Sequence, residues 1–394
     1  MASYNFGLTS VAVPFIAQFA GKLPILMNAN KQFDKEYKSG TGSSISILIP
    51  DHPDVQTGAG VGSGSNYTSG SVTLSLTQRN VSIDATQIVR ALDIHDFEGQ
   101  VAKPYGAKLA STIQTIAADE IKLNADTQSV LSTANFAGMA TVIAGIRKAR
   151  SYGELCGALD PQLSATIAGT GTSLFLPSNV SNDLHKDANL GRYHTAEFYE
   201  TPDITALATG TATVDGDVDG LVNTEGATTI SIDGITGATG TIKAGQGFTI
   251  AGLNAVDIYG VDIGKPYVFV ALADASVASN AVDITVKPLY FAEGPMKNIS
   301  GVVADGLAVT QLQDASSSYM AGIIWDKMSL AFGAAALAPI SNTDTKTIND
   351  SGLSVSVTKG ADISAGKEIV RWDTLTGFKL IRSNWASVVW FKVV

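Results

Sequence analysis

Two short stretches alternate between apolar and polar residues, the second of them strictly. In Ser44-Ile45-Ser46-Ile47-Leu48-Ile49-Pro50 the alternation gives way to an apolar run ended by proline, which predicts a strand. Residues 71–77 alternate throughout, with Val72, Leu74 and Leu76 on one face. Between them the run Gly58-Ala-Gly60-Val-Gly62-Ser-Gly64 offers no side chains for fixed packing and reads as a flexible tip. Together these predict an extended β-hairpin arm with little core of its own, which needs a neighbour to lie on.

Helical periods flank this arm. Residues 8–21 place Leu8, Val11, Phe15 and Phe19 on one face, as in a short amphipathic helix. Over 97–128, Val101, Tyr105, Leu109, Ile113, Ala117 and Ile121 recur at every fourth position, with good helix formers between them. At ~1.5 Å per residue that helix would span about 45 Å, with Pro104 in its first turn or at a kink. A second helix is predicted over 135–151, stopped by Gly153. Residues 173–177 read as a buried strand, followed by a helical turn over 182–186 capped by Ser178 or Ser181. From 204 to about 298 the texture becomes rich in Thr, Val, Gly and Asp. Strands are expected there at 228–232, 247–251, 267–271 and 281–286, forming a barrel-like or sandwich-like module. Mixed texture resumes after it, so the module reads as inserted into an α+β host. The end, residues 385–394, reads as a buried strand.

Composition sharpens this picture. The 394 residues are 45% hydrophobic and only 16% charged, which excludes global disorder and predicts two to three domains. So sparse a charged coat points to surface covered by partners. A net charge of -10 argues against a dedicated nucleic-acid reader. The 39 glycines are not periodic but gather in 40–70 and 210–264. The apolar stretch 11–27 is interrupted by Pro14, Gln18, Lys22 and Pro24, and no Lys or Arg precedes it, so neither a signal peptide nor a membrane span is expected.

Candidate chemistry is sparse. Cys156 is the one cysteine, which excludes an internal disulfide and multi-cysteine metal sites. A nucleophilic role would require His185 or His194 as base; the plainer reading is a half-buried structural thiol. His52, His95, His185 and His194 show no metal-ligand spacing, and no G-x-S-x-G elbow occurs. The glycine run at 58–64 lacks the spacing of a phosphate loop and precedes a strand rather than a helix. Residues 215–226 come closer: Asp215, Asp217, Asp219 and Gly220 match the opening of an EF-hand calcium loop. Glu225 falls one residue before the position of the bidentate acid, and flanking helices are missing. An acidic turn is the alternative reading; a weak divalent site remains the other.

The order of these features resembles the major capsid (coat) proteins of tailed bacteriophages with the Hong Kong 97-type fold. The chain is most similar to coat proteins of short-tailed Salmonella-type phages, which carry an inserted β-barrel. The resemblance is carried by the run Gly240-Thr-Ile-Lys-Ala-Gly-Gln-Gly-Phe-Thr-Ile-Ala-Gly252 and by Val282-Asp-Ile-Thr-Val-Lys-Pro288, with Lys108-Leu-Ala110 and Asp119-Glu-Ile-Lys122 in the long helix. It implies an α+β fold with an N-terminal arm (1–40), an E-loop hairpin (41–86), a spine helix with peripheral domain (87–130) and a first axial part (131–202). An inserted β-barrel-like domain (203–299) and a C-terminal axial and peripheral part (300–394) would follow. It further implies a non-enzymatic protein without cofactors that assembles into hexamers and pentamers around double-stranded DNA, without sequence-specific contact and away from membranes. Gly58, Gly60, Gly62 and Gly64 would form the intersubunit tip of the E-loop. A portal and a scaffolding or decoration protein would be partners, with assembly in the bacterial cytoplasm and residence in the virion. Lys–Asn crosslinking, used by some members, has no basis for assignment here. The alternatives are an encapsulin-like shell and an extracellular β-rich adhesin.

Overall fold

The computed structural model describes residues 23–37, 42–50, 69–86, 103–171, 191–220, 226, 228–237, 239–340, 343–350 and 353–393. The helix expected at 8–21, the strand at 173–177, the turn at 182–186 and the glycine tip at 58–64 lie outside them. The chain forms two compact units, each assembled from separated segments: Met1–Ser46, Thr73–Ala117 and Ala331–Lys379 in the first, Ile47–Val72, Ala118–Leu330 and Leu380–Val394 in the second.

The first unit is organised by one long strand, Lys367–Leu380, which pairs with Leu353–Asp362 and with Thr77–Thr86. The sheet is completed by Leu330–Ala335 and Asp344–Asp350. Paired hydroxyls run across Asp344–Asp350 and Leu353–Asp362, with Thr347 and Ser356 at 2.9 Å. Strand Leu353–Asp362 reads Leu-Ser-Val-Ser-Val-Thr and is buried from Leu353 to Thr358. Trp372 is fully buried, its ring 5.8 Å from that of Tyr105.

The long helix runs Lys103–Asn124, and Leu109, Ile113, Ala117 and Ile121 are buried along it at the expected spacing. It stops four residues short of the expected end, because the chain changes use rather than merely fraying. Asn124 turns its amide back to the Glu120 carbonyl (2.9 Å), and Gln128 reaches back to the Lys122 carbonyl (3.0 Å). Thr127–Leu131 is already a strand. The second helix, Phe136–Lys148, begins where Asn135 accepts the Gly138 amide at 2.8 Å. Its stop is not Gly153: Arg150 takes the left-handed position (φ 62) just beyond it.

In the second unit a sheet has the order Thr127–Leu131, Ala386–Lys392, Ser318–Asp326, Leu155–Leu159, Ala196–Glu200, Arg192–Tyr193, with Leu207–Ala208 also paired to Ser318–Asp326. The chain end therefore lies inside the sheet, parallel to Thr127–Leu131 and antiparallel to Ser318–Asp326. Met139, Ile143 and Ile146 of the second helix and Leu163 and Ile167 of a third, Pro161–Gly171, fill one core with Leu155, Leu159, Ile324 and Val389.

Between Leu207–Ala208 and Ser318–Asp326 the chain leaves this sheet and builds a closed barrel. Its strands, in order around the barrel, are Thr229–Asp233, Val282–Lys287, Asp262–Ala271, Gly247–Val256, Ala308–Gln311 and Gly216–Val218. Ile230, Ile232, Phe248, Ile250, Phe269, Ile284 and Val286 fill it, with Phe248 and Phe269 stacked at 5.6 Å. The barrel extends past the expected boundary at 299, because Ala308–Gln311 bridges Gly247–Val256 and Gly216–Val218. At the neck the outgoing and returning chains are tied together. The Thr209 hydroxyl donates to the Asp314 carbonyl (2.7 Å) and accepts the Ser317 amide (2.8 Å).

Gly216 permits the close approach that shuts the barrel: a Cβ there would lie 2.1 Å from the Asp233 carbonyl oxygen. Gly216→Ala is expected to lower stability by about 1–3 kcal/mol, read as a lower midpoint in denaturant unfolding; an unchanged midpoint would contradict that approach.

Candidate functional site

Three places carry the sequence-based expectations, and the structure treats them differently. The arm is present as a two-stranded ribbon of Ser44–Pro50 and Ser69–Ser75. Its alternation has a physical outcome: Ile45, Ile47, Ile49, Val72 and Leu74 are buried, while Ser44, Ser46, Leu48, Ser71, Thr73 and Ser75 face outward. Part of the surface that the arm lies on is supplied by the same chain. In the first unit Leu74 and Leu76 pack at Gly333, where an added Cβ would clash with Tyr37, and the Tyr37 hydroxyl donates to the Leu74 carbonyl (2.8 Å). The outer face carries no charge, and Leu48 is 67% exposed on it. Neither ribbon strand has a second partner strand among the described residues. Uncharged, unpaired edges are what a protein that stays alone avoids. The tip glycines Gly58, Gly60, Gly62 and Gly64 lie outside the described residues.

Cys156 is not half-buried but wholly so, within Leu155–Leu159, where every residue is buried. Burial pushes its thiol up to about 12. His194 is exposed, its ring 6.3 Å from that of Tyr193; His185 lies outside the described residues. A thiol so protonated is a poor nucleophile.

Residues 216–218 of the acidic segment form a barrel strand, paired on both sides, rather than the opening of a curled loop. Asp217 stands in Gly216–Val218 opposite Asp233, and Asp215, Asp217 and Asp219 all project outward. An extended chain sets alternate side chains about 6.5–7 Å apart, whereas an EF-hand loop curls its ligands around one ion. Asp215 already accepts the Gln311 amide (2.8 Å), and the Gly220 amide goes to Asp305 (2.8 Å). Among the described residues no three acidic, histidine or cysteine side chains gather to hold a metal, and Glu225 lies outside them. No helix among the described residues is long and apolar enough to cross a membrane.

Residues 200–390 match the family described as "P22 coat protein - gene protein 5", a stretch close to half the chain that contains the whole barrel and its neck. No curated protein matches the chain by sequence. Among solved structures, the chain is similar to one from Mycobacterium phage Che8 at 11% identity and TM-score 0.48, covering 93% of this chain and 90% of that one. It is similar to the capsid of Ralstonia phage GP4 at 8% identity and TM-score 0.47, covering 88% and 83%. It is also similar to the virus-like particle from Pyrococcus furiosus at 7% identity and TM-score 0.42, covering 97% and 96%.

The class defined by the family match is a bacteriophage coat protein: a structural protein of the virion and not an enzyme. The chain is a major capsid protein of the head shell, built up from copies of itself.

Two outcomes test the chemistry. Cys156 is expected to resist iodoacetamide at pH 8 in the folded chain and to react on unfolding, by mass spectrometry; rapid labelling of folded protein would contradict its burial. Millimolar calcium is expected to leave the melting temperature unchanged, and an upward shift would make the acidic strand a divalent site after all.

Proposed function

We propose that the chain forms an icosahedral head on the Hong Kong 97-type plan, as hexamers and pentamers enclosing double-stranded DNA, in the manner of short-tailed Salmonella-type coat proteins. The observation that carries this reading is the ribbon. Its buried face is satisfied within the chain, while its outer face is uncharged and its edges have no partner strand among the described residues. A neighbouring copy laid against it would pair those edges and cover Leu48. On this reading the ribbon is the E-loop, with Gly58, Gly60, Gly62 and Gly64 making its contact with the neighbouring subunit. Lys103–Asn124 is the spine helix, and the closed barrel is the inserted domain.

The surface chemistry supports the same reading. With 36 acidic against 26 basic residues, the wall of such a container would hold packaged phosphates weakly, which leaves the genome free to move in and out. Contact with DNA is then general rather than sequence-specific. A portal and a scaffolding or decoration protein complete the assembly, which takes place in the bacterial cytoplasm.

Removal of residues 57–69 tests the role of the ribbon tip. The shortened chain is expected to keep its circular dichroism spectrum and melting temperature while yielding few or no closed particles by electron microscopy. Normal particles from it would remove the tip from the assembly mechanism.

A further inference from the structure

The barrel and the sheet that carries it belong to the same compact unit, and they meet along a seam of buried polar side chains. At its centre is Asp126, between the long helix and strand Thr127–Leu131, with no exposed surface. Its main chain joins the two parts: the Val268 amide of the barrel donates to the Asp126 carbonyl at 2.9 Å, and the Asp126 amide donates to the Ser383 carbonyl at 3.3 Å. Its Oδ2 accepts the Ser383 hydroxyl at 2.8 Å. Beside it the Asn298 amide donates to the Tyr267 hydroxyl at 3.0 Å, and Asn384 donates to the Val256 carbonyl at 3.2 Å.

The seam is incompletely satisfied. Asp126 Oδ1, Asn384 Oδ1, Gln246 Nε2 and Gln313 Nε2 are buried without a hydrogen-bond partner among the described residues. Polar groups left in that condition favour opening over closure, so a joint made from them holds with little margin. The Asp126 carboxyl is the member whose condition can change with the solution. Burial drives its pKa up to about 8, against the pull of Ser383, Asn298 and Tyr267, which favour the ionised form.

Among the described residues no cation offsets that burial. On the long helix Lys122 pairs with Asp119 (2.7 Å), and Glu120 accepts the Leu380 amide (3.2 Å). On the turn that holds Ser383, Arg382 lies over the Trp385 ring at 6.0 Å. On the barrel side Asp262 accepts from Asn254 (2.8 Å), and Lys265 and Lys297 are partly exposed along with Glu293. The buried phenols Tyr267 and Tyr290 are pushed up by burial and stay neutral over the physiological range. Asp257 makes the contrast. Burial would raise it too, but the Val261 amide, Arg150 and the Tyr259 amide more than compensate and hold it below the usual carboxylate range. Among the described residues Asp126 has no such cation beside it.

We infer that Asp126 is a protonation-controlled latch: with its carboxyl protonated the barrel is seated on the sheet, and loss of that proton loosens the seam. Protonation gives the carboxyl an O–H to donate beside the Tyr267 hydroxyl and removes a buried charge that no cation among the described residues offsets. The sign follows from linkage. The seated state keeps a proton that a solvated Asp126 gives up near its ordinary 3.8, so seating is strongest at acid pH and weakens as pH rises toward about 8, then levels off. The ratio of seated to loosened chains falls roughly tenfold per pH unit in that window, up to about 10⁴-fold in all. The latch operates within a single copy and is independent of shell assembly.

Amide hydrogen exchange on the full-length, unassembled chain from pH 5 to 9 tests it, with Val268 as reporter because its amide donates to Asp126. After correction for intrinsic exchange, Val268 protection is expected to fall roughly tenfold per unit up to about pH 8, while Ile323, in the interior of the sheet, changes less. Asp126→Asn should flatten the Val268 profile. Protection that does not depend on pH, or the wild-type slope retained in Asp126→Asn, would overturn the latch. If Asp126→Asn does not fold, Ser383→Ala decides. Removing the hydroxyl that favours the ionised form should move the midpoint upward, and an unmoved midpoint counts against the proposal.

Discussion

The second unit depends on a strand that arrives last. Ala386–Lys392 lies between Thr127–Leu131 and Ser318–Asp326, hydrogen-bonded to both, so the sheet is in two pieces until the C-terminal residues are in place. Ser318–Asp326 is also the strand to which the chain returns from the barrel, and it pairs with Leu207–Ala208, from which the chain departs. One interlocked set of strands therefore holds the end of the chain, the core beneath two helices and the neck of the barrel. Contacts between residues so distant in sequence are slow to form, and a loss at the C-terminal strand reaches the neck through its shared partner.

The polar seam follows from the same arrangement. Ser383 and Asn384 stand immediately before the closing strand, and Asp126 immediately before its parallel neighbour. The residues that seat the barrel are thus positioned by the strands that complete the sheet. A seam of fully apolar side chains would bind the barrel more firmly; buried amides and one unbalanced carboxyl leave the joint adjustable. The ribbon shows the complementary economy. Its inward face is closed by the chain itself, and only its outward face and edges remain for a neighbour.

What could be read from the sequence, and what could not, follows from the range of the signals. The alternation at 44–50 and 71–77 and the fourth-position repeat from Leu109 to Ile121 are local, and burial reproduces them residue by residue, with Tyr105 half-buried. The longer barrel strands announced themselves through β-branched texture. Gly216–Val218 and Ala308–Gln311 did not, being three and four residues long with polar members, and they become strands only because the barrel has to close. The uniformly apolar Leu155–Leu159 has no period to read, so nothing local in the sequence marks Cys156 as wholly buried. The Asp215–Asp219 spacing invited a loop reading because period two in a strand and alternate ligands in a calcium loop look alike on paper. Asp126, Tyr267, Asn298 and Ser383 come from four remote segments of ordinary composition, and only the fold brings them together.

The central claim is that this chain is a subunit whose ribbon edge is completed by another copy. Electron cryo-microscopy of particles formed by the expressed protein tests it most directly. The account predicts rings or shells in which an outer edge of Ser44–Pro50 or Ser69–Ser75 lies against a neighbouring subunit with Leu48 covered. Particles in which the ribbon touches only its own chain, or a species that stays monomeric at every concentration, would contradict it.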